Sequence, residues 1–510
     1  MDKLKDVGKA LGFGLLFLLI VPTNSNSQTI YYIDADSGND SYSGTQSQPF
    51  KTIDKGVSTL GSNIGTLYLR EGTYATASKI SLTKSGQAND YIKIWAYENE
   101  KVIIDFSSNA STSDDGFSIS GSYYYLKGLD IRYAPHNGIK ISGNNNIIEN
   151  CITRNCSNTG LHITGGSSDN ATTPSNNLIL NCDSFYNFDS PIGGNADGFS
   201  AKWSVGSGNE FRGCRAWNNS DDGWDLWMCT GSILIDSCYA FRNGIDIWYT
   251  GEFDGNGNGI KLGGNNVATP HIVKNCIAFD NAGNGGKGFD ENNNLAGQTL
   301  YNCTAFRNQS YNFALYNDPL TSGTHTVKNC ISYLPGSTDI LKNTVQEANS
   351  WLGFTVSNSD FESIDTAGVT AERNANGRIP TSSFLRLASN SQFINAGVDI
   401  GTPYAGSAPD LGAFEYGYTP TAIEDNILTS NYIVYNFPNP FSNETTIKWD
   451  FTTQDIIRVD IFNITGQLIE SEYCKDTNQL SLNTTTWASG IYSYRILTGK
   501  TIHTGKMVKH

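Results

Sequence analysis

Five side chains of this sequence are of the types that hold a hard cation and move a proton: Asp197, Asp221, Asp222, Asp225 and Lys261. They stand in three short segments, NADGFSAK (195–202), NNSDDGWDLW (218–227) and NGIKLGG (258–264). Each segment carries a glycine, then an apolar residue, then alternation. Carboxylates brought close together repel and raise one another's pKa, so the group calls for a compensating charge. Calcium supplies it naturally, because it accepts about six to eight oxygens with loose geometry. Zinc does not fit, since no His or Cys is in register with the aspartates. A neighbouring lysine acts as a base once it has lost its proton. Lys202 is a further candidate, for holding a substrate carboxylate. A solvated acidic loop would account for any one of these aspartates, but not for four that converge beside an isolated lysine.

That convergence depends on the elements that carry the segments. Cys151, Cys182, Cys214, Cys238, Cys276, Cys303 and Cys330 recur in one local context, as in NCDSFYN, SCYAFRN and NCTAFRN. An aromatic follows three residues later in six of the seven, and Asn187, Asn219, Asn243, Asn281 and Asn308 each lie five residues after their cysteine. A stack of equivalent strand positions repeats its surroundings in this way, whereas a disulfide framework need not. The cysteines therefore read as small buried hydrophobes, mostly unpaired. A second register, NGIKIS, TGLHIT, DGFSAK, DGWDLW, NGIKLG and KGFDEN, is a turn followed by a short strand. Two short strands per repeat with asparagine at the corners predict an all-β fold, a right-handed parallel β-helix. Phe199, Ala201, Trp224, Leu226, Ile260 and Leu262 then point inward, and Ser200, Lys202, Asp225, Trp227 and Lys261 outward. Successive coils lie ~4.8 Å apart, which makes neighbours of aspartates far apart in the chain.

A cation and a lysine on the long face of a solenoid fit one reaction in particular. A base can remove the weakly acidic proton α to the carboxylate of a uronic acid residue, with a cation stabilising the enolate charge. The lysine must be neutral to do so, which predicts an alkaline optimum and strict metal dependence. At these same motifs the sequence resembles polysaccharide lyase family nine, the β-helical pectate lyases, over roughly residues 135–335. The resemblance implies calcium held by Asp197, Asp221, Asp222 and Asp225, and Lys261 as the Brønsted base. It also implies eliminative cleavage of polygalacturonate or, in some members, of rhamnogalacturonan. Two other readings stay open. Polygalacturonase-like hydrolases share the β-helix and echo Asp221–Asp222, but their histidine turn is missing and Asp225 would have no role. A non-catalytic glycan-binding β-helix could use Trp203, Trp227 and Trp248, but would not need Lys261 beside the acidic group.

The rest of the chain sets the context. It has 510 residues and a net charge of −15, which argues against nucleic acid as a partner and against a polybasic membrane anchor. Lys3, Lys5 and Lys9 precede an apolar run from Ala10 to Val21, so residues 1–27 read as a secretory signal. Residues 28–418 are expected to form one β-helix of roughly a dozen coils. Its N-terminal cap is a helix opened by Pro49, and its last strand lies at DLGAFEYG (410–417). After a linker at 419–430, residues 431–510 alternate like a small β-sandwich. NFPNPF, the strand with Gly466, WASGIYSYRI and the basic ending KMVKH resemble the C-terminal sorting domain of type IX secretion. That resemblance implies the secretion machinery as a partner, export across both membranes, and release or surface attachment. The expected substrate is an acidic plant cell-wall polysaccharide, and the expected state a monomer.

Overall fold

The computed structural model describes residues 29–418 and 434–510, apart from short segments at 62–63, 89, 99, 168–171, 317–322, 450–456, 465–467, 476 and 498–501. The expected signal segment and linker lie outside the described residues. Three parallel sheets wind around one core, with twelve, ten and ten strands. Each coil contributes one strand to each sheet in turn, so neighbours within a sheet are about one coil apart in sequence. The sheet running from Ile80–Leu82 to Ile340–Leu341 carries the sequence segments of interest and is called the site sheet below.

Packing explains the repeats. Cys151, Cys182, Cys214, Cys238, Cys276, Cys303 and Cys330 are all buried in the main core, and all ten cysteines are free. The asparagine corners form a ladder. The side-chain carbonyl of Asn219 accepts from Asn187 Nδ2 at 2.9 Å, that of Asn243 from Asn219 at 3.0 Å, that of Asn281 from Asn243 at 3.0 Å, and that of Asn308 from Asn281 at 2.9 Å. Each link satisfies buried amide groups that water cannot reach. The repeat glycines answer to the same stack. A Cβ on Gly223 would lie 2.5 Å from the Gly259 carbonyl and 2.9 Å from the Asn243 amide. Close approach between coils, rather than an unusual φ, keeps this position free of a side chain.

The two ends differ from expectation. The cap helix spans Ile53–Leu60 and does not start at Pro49. Thr52 is its N-cap, accepting from Lys55 N at 3.2 Å, because the Phe50 N–H is already donated to Tyr32 O at 2.9 Å. At the other end, residues 410–417 form no strand, and the last coil closes with Thr344–Glu347. From there to Tyr418 the chain is irregular and lies against the outside of the third sheet. Phe361, Phe384, Leu387, Phe393 and Leu411 pack there on Phe241, Phe279 and Phe306. The aromatic row that follows the cysteines is therefore covered by the chain's own later segment, and Arg373 pins that segment to Asp183 at 2.6 Å.

The C-terminal part has three- and four-stranded antiparallel sheets around its own core of Phe441, Ile447, Trp449, Val459, Ile461, Tyr494, Ile496 and Met507.

Candidate active site

Register brings the predicted residues together. On the outward face of the site sheet, Lys140 pairs with His162, His162 with Ser200, Ser200 with Asp225, Asp225 with Lys261, and Lys261 with Asp290. The inward partners Phe199, Ala201, Trp224, Leu226, Ile260 and Leu262 are fully buried, as the alternation predicts. One feature departs from simple alternation: the outward residues are buried too. Asp197, Asp221, Asp222 and Asp225 are at most 3 % exposed, and Lys261 is 8 % exposed. Turns from neighbouring coils cover them and supply hydrogen bonds.

The four aspartates each offer one carboxylate oxygen within 4.8 Å of the others. Asp222 Oδ1 accepts from Asn258 N at 2.7 Å and from Asn258 Nδ2 at 2.9 Å, and Asp221 Oδ1 accepts from Asn256 N at 2.7 Å. Asp197 Oδ2 accepts from Thr159 Oγ1 at 3.1 Å, and Asp225 Oδ1 from Trp227 N at 2.9 Å. Two ammonium groups reach in. Lys261 Nζ lies 3.0 Å from Asp222 Oδ2 and 3.5 Å from Asp225 Oδ2, and Lys202 Nζ lies 2.8 Å from Asp197 Oδ2 and 2.6 Å from Asp225 Oδ2. Lys202 was expected to face a substrate carboxylate; here its ammonium is held between two members of the cluster.

Electrostatics follow from burial and proximity. Burial, reinforced by Asp225 and Asp222, pushes the Asp197 carboxyl up to about 7, although Lys202 opposes it. Burial also drives Asp221 well above the usual carboxylate range, with Asp222 and Asp197 adding to it. Asp222 is raised mainly by burial. Asp225 moves the other way, because Lys202 and Lys261 together outweigh its burial. Burial lowers the Lys261 pKa, but Asp222, Asp225, Asp221 and Asp197 more than reverse that and hold it well above its ordinary value.

The donor set fits a hard divalent cation. Were all four carboxylates ionised, they would exceed the two lysines by two negative charges, a state that a bound divalent cation would favour. Asn258 Oδ1, beside Asp222, is a buried acceptor without a hydrogen-bond partner among the described residues. All the ligating atoms are oxygens, as calcium prefers. The sequence reading gives Asn258, the first residue of NGIKLGG, no role, and it misses Thr159 and the backbone N–H of Asn256. The expectation that no His is in register with the aspartates fails at His162, which pairs with and bonds Ser200 of the next coil, while Ser200 pairs with Asp225; its place two residues after Gly160 was the available signal.

Comparison with known proteins identifies the fold family and the C-terminal part. Residues 31–329 match the family described as Pel9A-like, right handed beta helix region, and residues 435–510 match the secretion system C-terminal sorting domain. The chain is 37 % identical over 403 residues to pectate lyase L of Dickeya chrysanthemi, covering 76 % of this chain and 91 % of that protein. It is 33 % identical to pectate lyase PEL9 of Emericella nidulans, covering 72 % and 94 %. Among solved structures, pectate lyase Pel9A superposes with a TM-score of 0.69 at 36 % identity, over 76 % of this chain and 97 % of that one. A rhamnogalacturonan lyase superposes with a TM-score of 0.63 at 30 % identity, over 71 % and 96 %.

Proposed function

This chain belongs to the Pel9A-like right-handed β-helix family, and we propose that it is a calcium-dependent pectate lyase that cuts α-1,4-galacturonan by β-elimination. The observation that carries the proposal is Lys261 seated against four buried, converging aspartates on the outward face of the site sheet. Asp197, Asp221, Asp222 and Asp225 would hold the ion. Calcium, when bound, would draw in the substrate carboxylate and stabilise the enolate charge beside it.

The chain's own residues do the rest. Lys261 Nζ takes the proton from C5 of the uronate as the free amine, a form that calcium held by the aspartates would favour by offsetting the carboxylate charge that otherwise raises its pKa. The electron pair of the C5–H bond becomes the C4–C5 double bond, the bond from C4 to the glycosidic oxygen breaks, and that oxygen takes up a proton. Asp222 and Asp225, which hydrogen-bond Lys261, fix the direction of its amine. The covering turns exclude water, which strengthens every charge interaction in the site. Residues 28–418 form the catalytic body in this reading. Residues 431–510 direct type IX secretion and place the enzyme outside the cell or on its surface.

The test is ultraviolet absorbance during digestion of polygalacturonate, with calcium and then with chelator. A calcium-dependent rise supports the proposal. New reducing ends without absorbance would mean hydrolysis and sink it. The second reading, rhamnogalacturonan lyase, rests on the solved structure at 30 % identity and is tested by substituting that polymer in the same assay.

A further inference from the structure

The turn that carries two of the four aspartates is short and lies between two long loops. Ten residues separate Asn187 from Gly198 and fifteen separate Asn243 from Gly259, whereas only three, Ser220 to Asp222, separate Asn219 from Gly223. The asparagine ladder stacks these corners in that order. A three-residue turn on the outside of a solenoid should be open to water, yet Ser220 and Asp222 are fully buried and Asp221 is 3 % exposed. The long loops on either side close over it.

They also close on each other. Phe188 of the first loop and Trp248 of the second stack with ring centres 4.5 Å apart and planes at 11°. Phe253 continues the stack at 6.3 Å and 18°, and a Cβ on Gly193 would lie 2.7 Å from its ring. The Asp254 N–H donates to Ile192 O at 2.8 Å. At Gly255 the second loop rests on the turn itself, since a Cβ there would be 1.9 Å from Ser220 O. The next residue is Asn256, whose N–H donates to Asp221 Oδ1 at 2.7 Å. Among the described residues this is the one hydrogen bond that the Asp221 carboxylate accepts. The first loop acts in the same way on Asp197. Its Asp189 carboxylate accepts from Ala196 N at 2.9 Å and from Ser220 Oγ at 3.3 Å, which ties the approach to Asp197 to the short turn.

Groups that aim a metal ligand are felt in metal affinity although they never touch the ion. We propose that the stack of Phe188, Trp248 and Phe253 is a clasp that positions Asp221 for calcium. By locking the loop at 245–257 against that at 188–196, it sets where the Asn256 N–H stands and hence where the carboxylate points. Trp248, a candidate for glycan binding on sequence grounds, is thereby a positioning residue of the metal site, engaged by Phe188. The proposal rests on the reading of the aspartates as a calcium site.

The experiment titrates calcium into the metal-free whole protein by calorimetry, without polymer, for wild type, Trp248→Ala, Trp248→Phe and Phe188→Leu. Trp248→Ala should raise the calcium Kd about tenfold, the low end of the range for groups that orient metal ligands. Phe188→Leu, which keeps an apolar side chain but loses the stack, should raise it about fivefold, and Trp248→Phe should stay within about twofold. On polygalacturonate, kcat of each variant should return to within about twofold of wild type once calcium is raised in proportion. Thermal midpoints in chelator separate positioning from folding. A lower midpoint with an unchanged Kd overturns the proposal, as does a loss of kcat that excess calcium does not restore. If Trp248→Ala does not fold, Phe188→Leu decides on the same criteria. A wild type that takes up no calcium defeats the calcium reading and the clasp with it. A wild type that binds calcium but yields no absorbance defeats the lyase reading alone, and the Kd values then decide the clasp.

Discussion

Lys261 is the residue on which the chemistry turns. Its ammonium is shared between Asp222 and Asp225 and is nearly sealed from water. Lys261→Ala should lower kcat at least about a thousandfold, the upper part of the range for removal of a general base. Lys261→Arg should fail almost as badly, because a guanidinium does not give up its proton. An Arg variant within tenfold of wild type would show that the positive charge, and not the base, is what matters. The aspartates call for a different measurement. If they hold calcium, saturating calcium should raise the thermal midpoint of wild type, by about 2.7 kcal/mol of stability at a hundred times the dissociation constant. Asp225→Asn should lose most of that gain. A calcium response equal in both proteins would remove Asp225 from the ligand set.

At the scale of the element, ladders of side chains fix the coils. Asn243 donates to Asn281 Oδ1 at 3.0 Å and accepts from Asn219 Nδ2 at 3.0 Å, fully buried. Asn243→Ala should cost about 2–4 kcal/mol in denaturant unfolding, since it strands partners on both neighbouring coils; a cost below 1 kcal/mol would mean the ladder is incidental. A second ladder runs before the twelve-stranded sheet, and histidines complete it. His271 Nδ1 accepts from Ile233 N at 3.2 Å, and His325 Nδ1 accepts from Gln298 N at 3.0 Å. Burial lowers the His271 pKa to about 3 and that of His325 to about 4. The unfolded chain therefore binds more protons than the folded one below the ordinary histidine value of ~6.5. Stability from these groups is fully present above pH ~6.5 and is lost as pH falls toward their folded values, by up to about 1.4 kcal/mol per pH unit for each. His271→Asn should flatten that acid slope in unfolding curves taken between pH 4 and 7; an unchanged slope would refute the assignment.

At the scale of the molecule, charge and modularity matter. A protein of net charge −15 is set against a polyanion, so long-range attraction is absent and local groups must do the binding. Apparent KM on galacturonan should fall, or hold steady, as ionic strength rises from low to physiological at saturating calcium. A steep rise in KM with salt would point to a cationic binding surface that the proposed site does not contain. The C-terminal sheets have a core that shares no residue with that of the solenoid. Truncation after Tyr418 should therefore leave kcat/KM within about twofold, and a larger loss would place substrate contacts in the C-terminal part.

Much of this was legible in the sequence because a solenoid converts periodicity directly into space. The cysteine and glycine registers gave the coil phase, and the coil phase alone placed Asp197, Asp222, Asp225 and Lys261 side by side. The aromatic row after the cysteines was visible, but not its cover: the packing of 361–411 onto Phe241, Phe279 and Phe306 joins segments with no shared period. The same limit explains the misplaced ends. The helix start was decided by a hydrogen bond from Phe50 to Tyr32, and DLGAFEYG lies on the side of the solenoid, where Gly412 N–H donates to Asn329 O, not in line behind the last coil. The site divides in the same way. Residue types and register fixed which charges meet. Only the tertiary structure buried them, turned Lys202 inward to the cluster and brought Thr159, Asn256 and Asn258 against the carboxylates, because those contacts come from turns whose lengths vary from coil to coil.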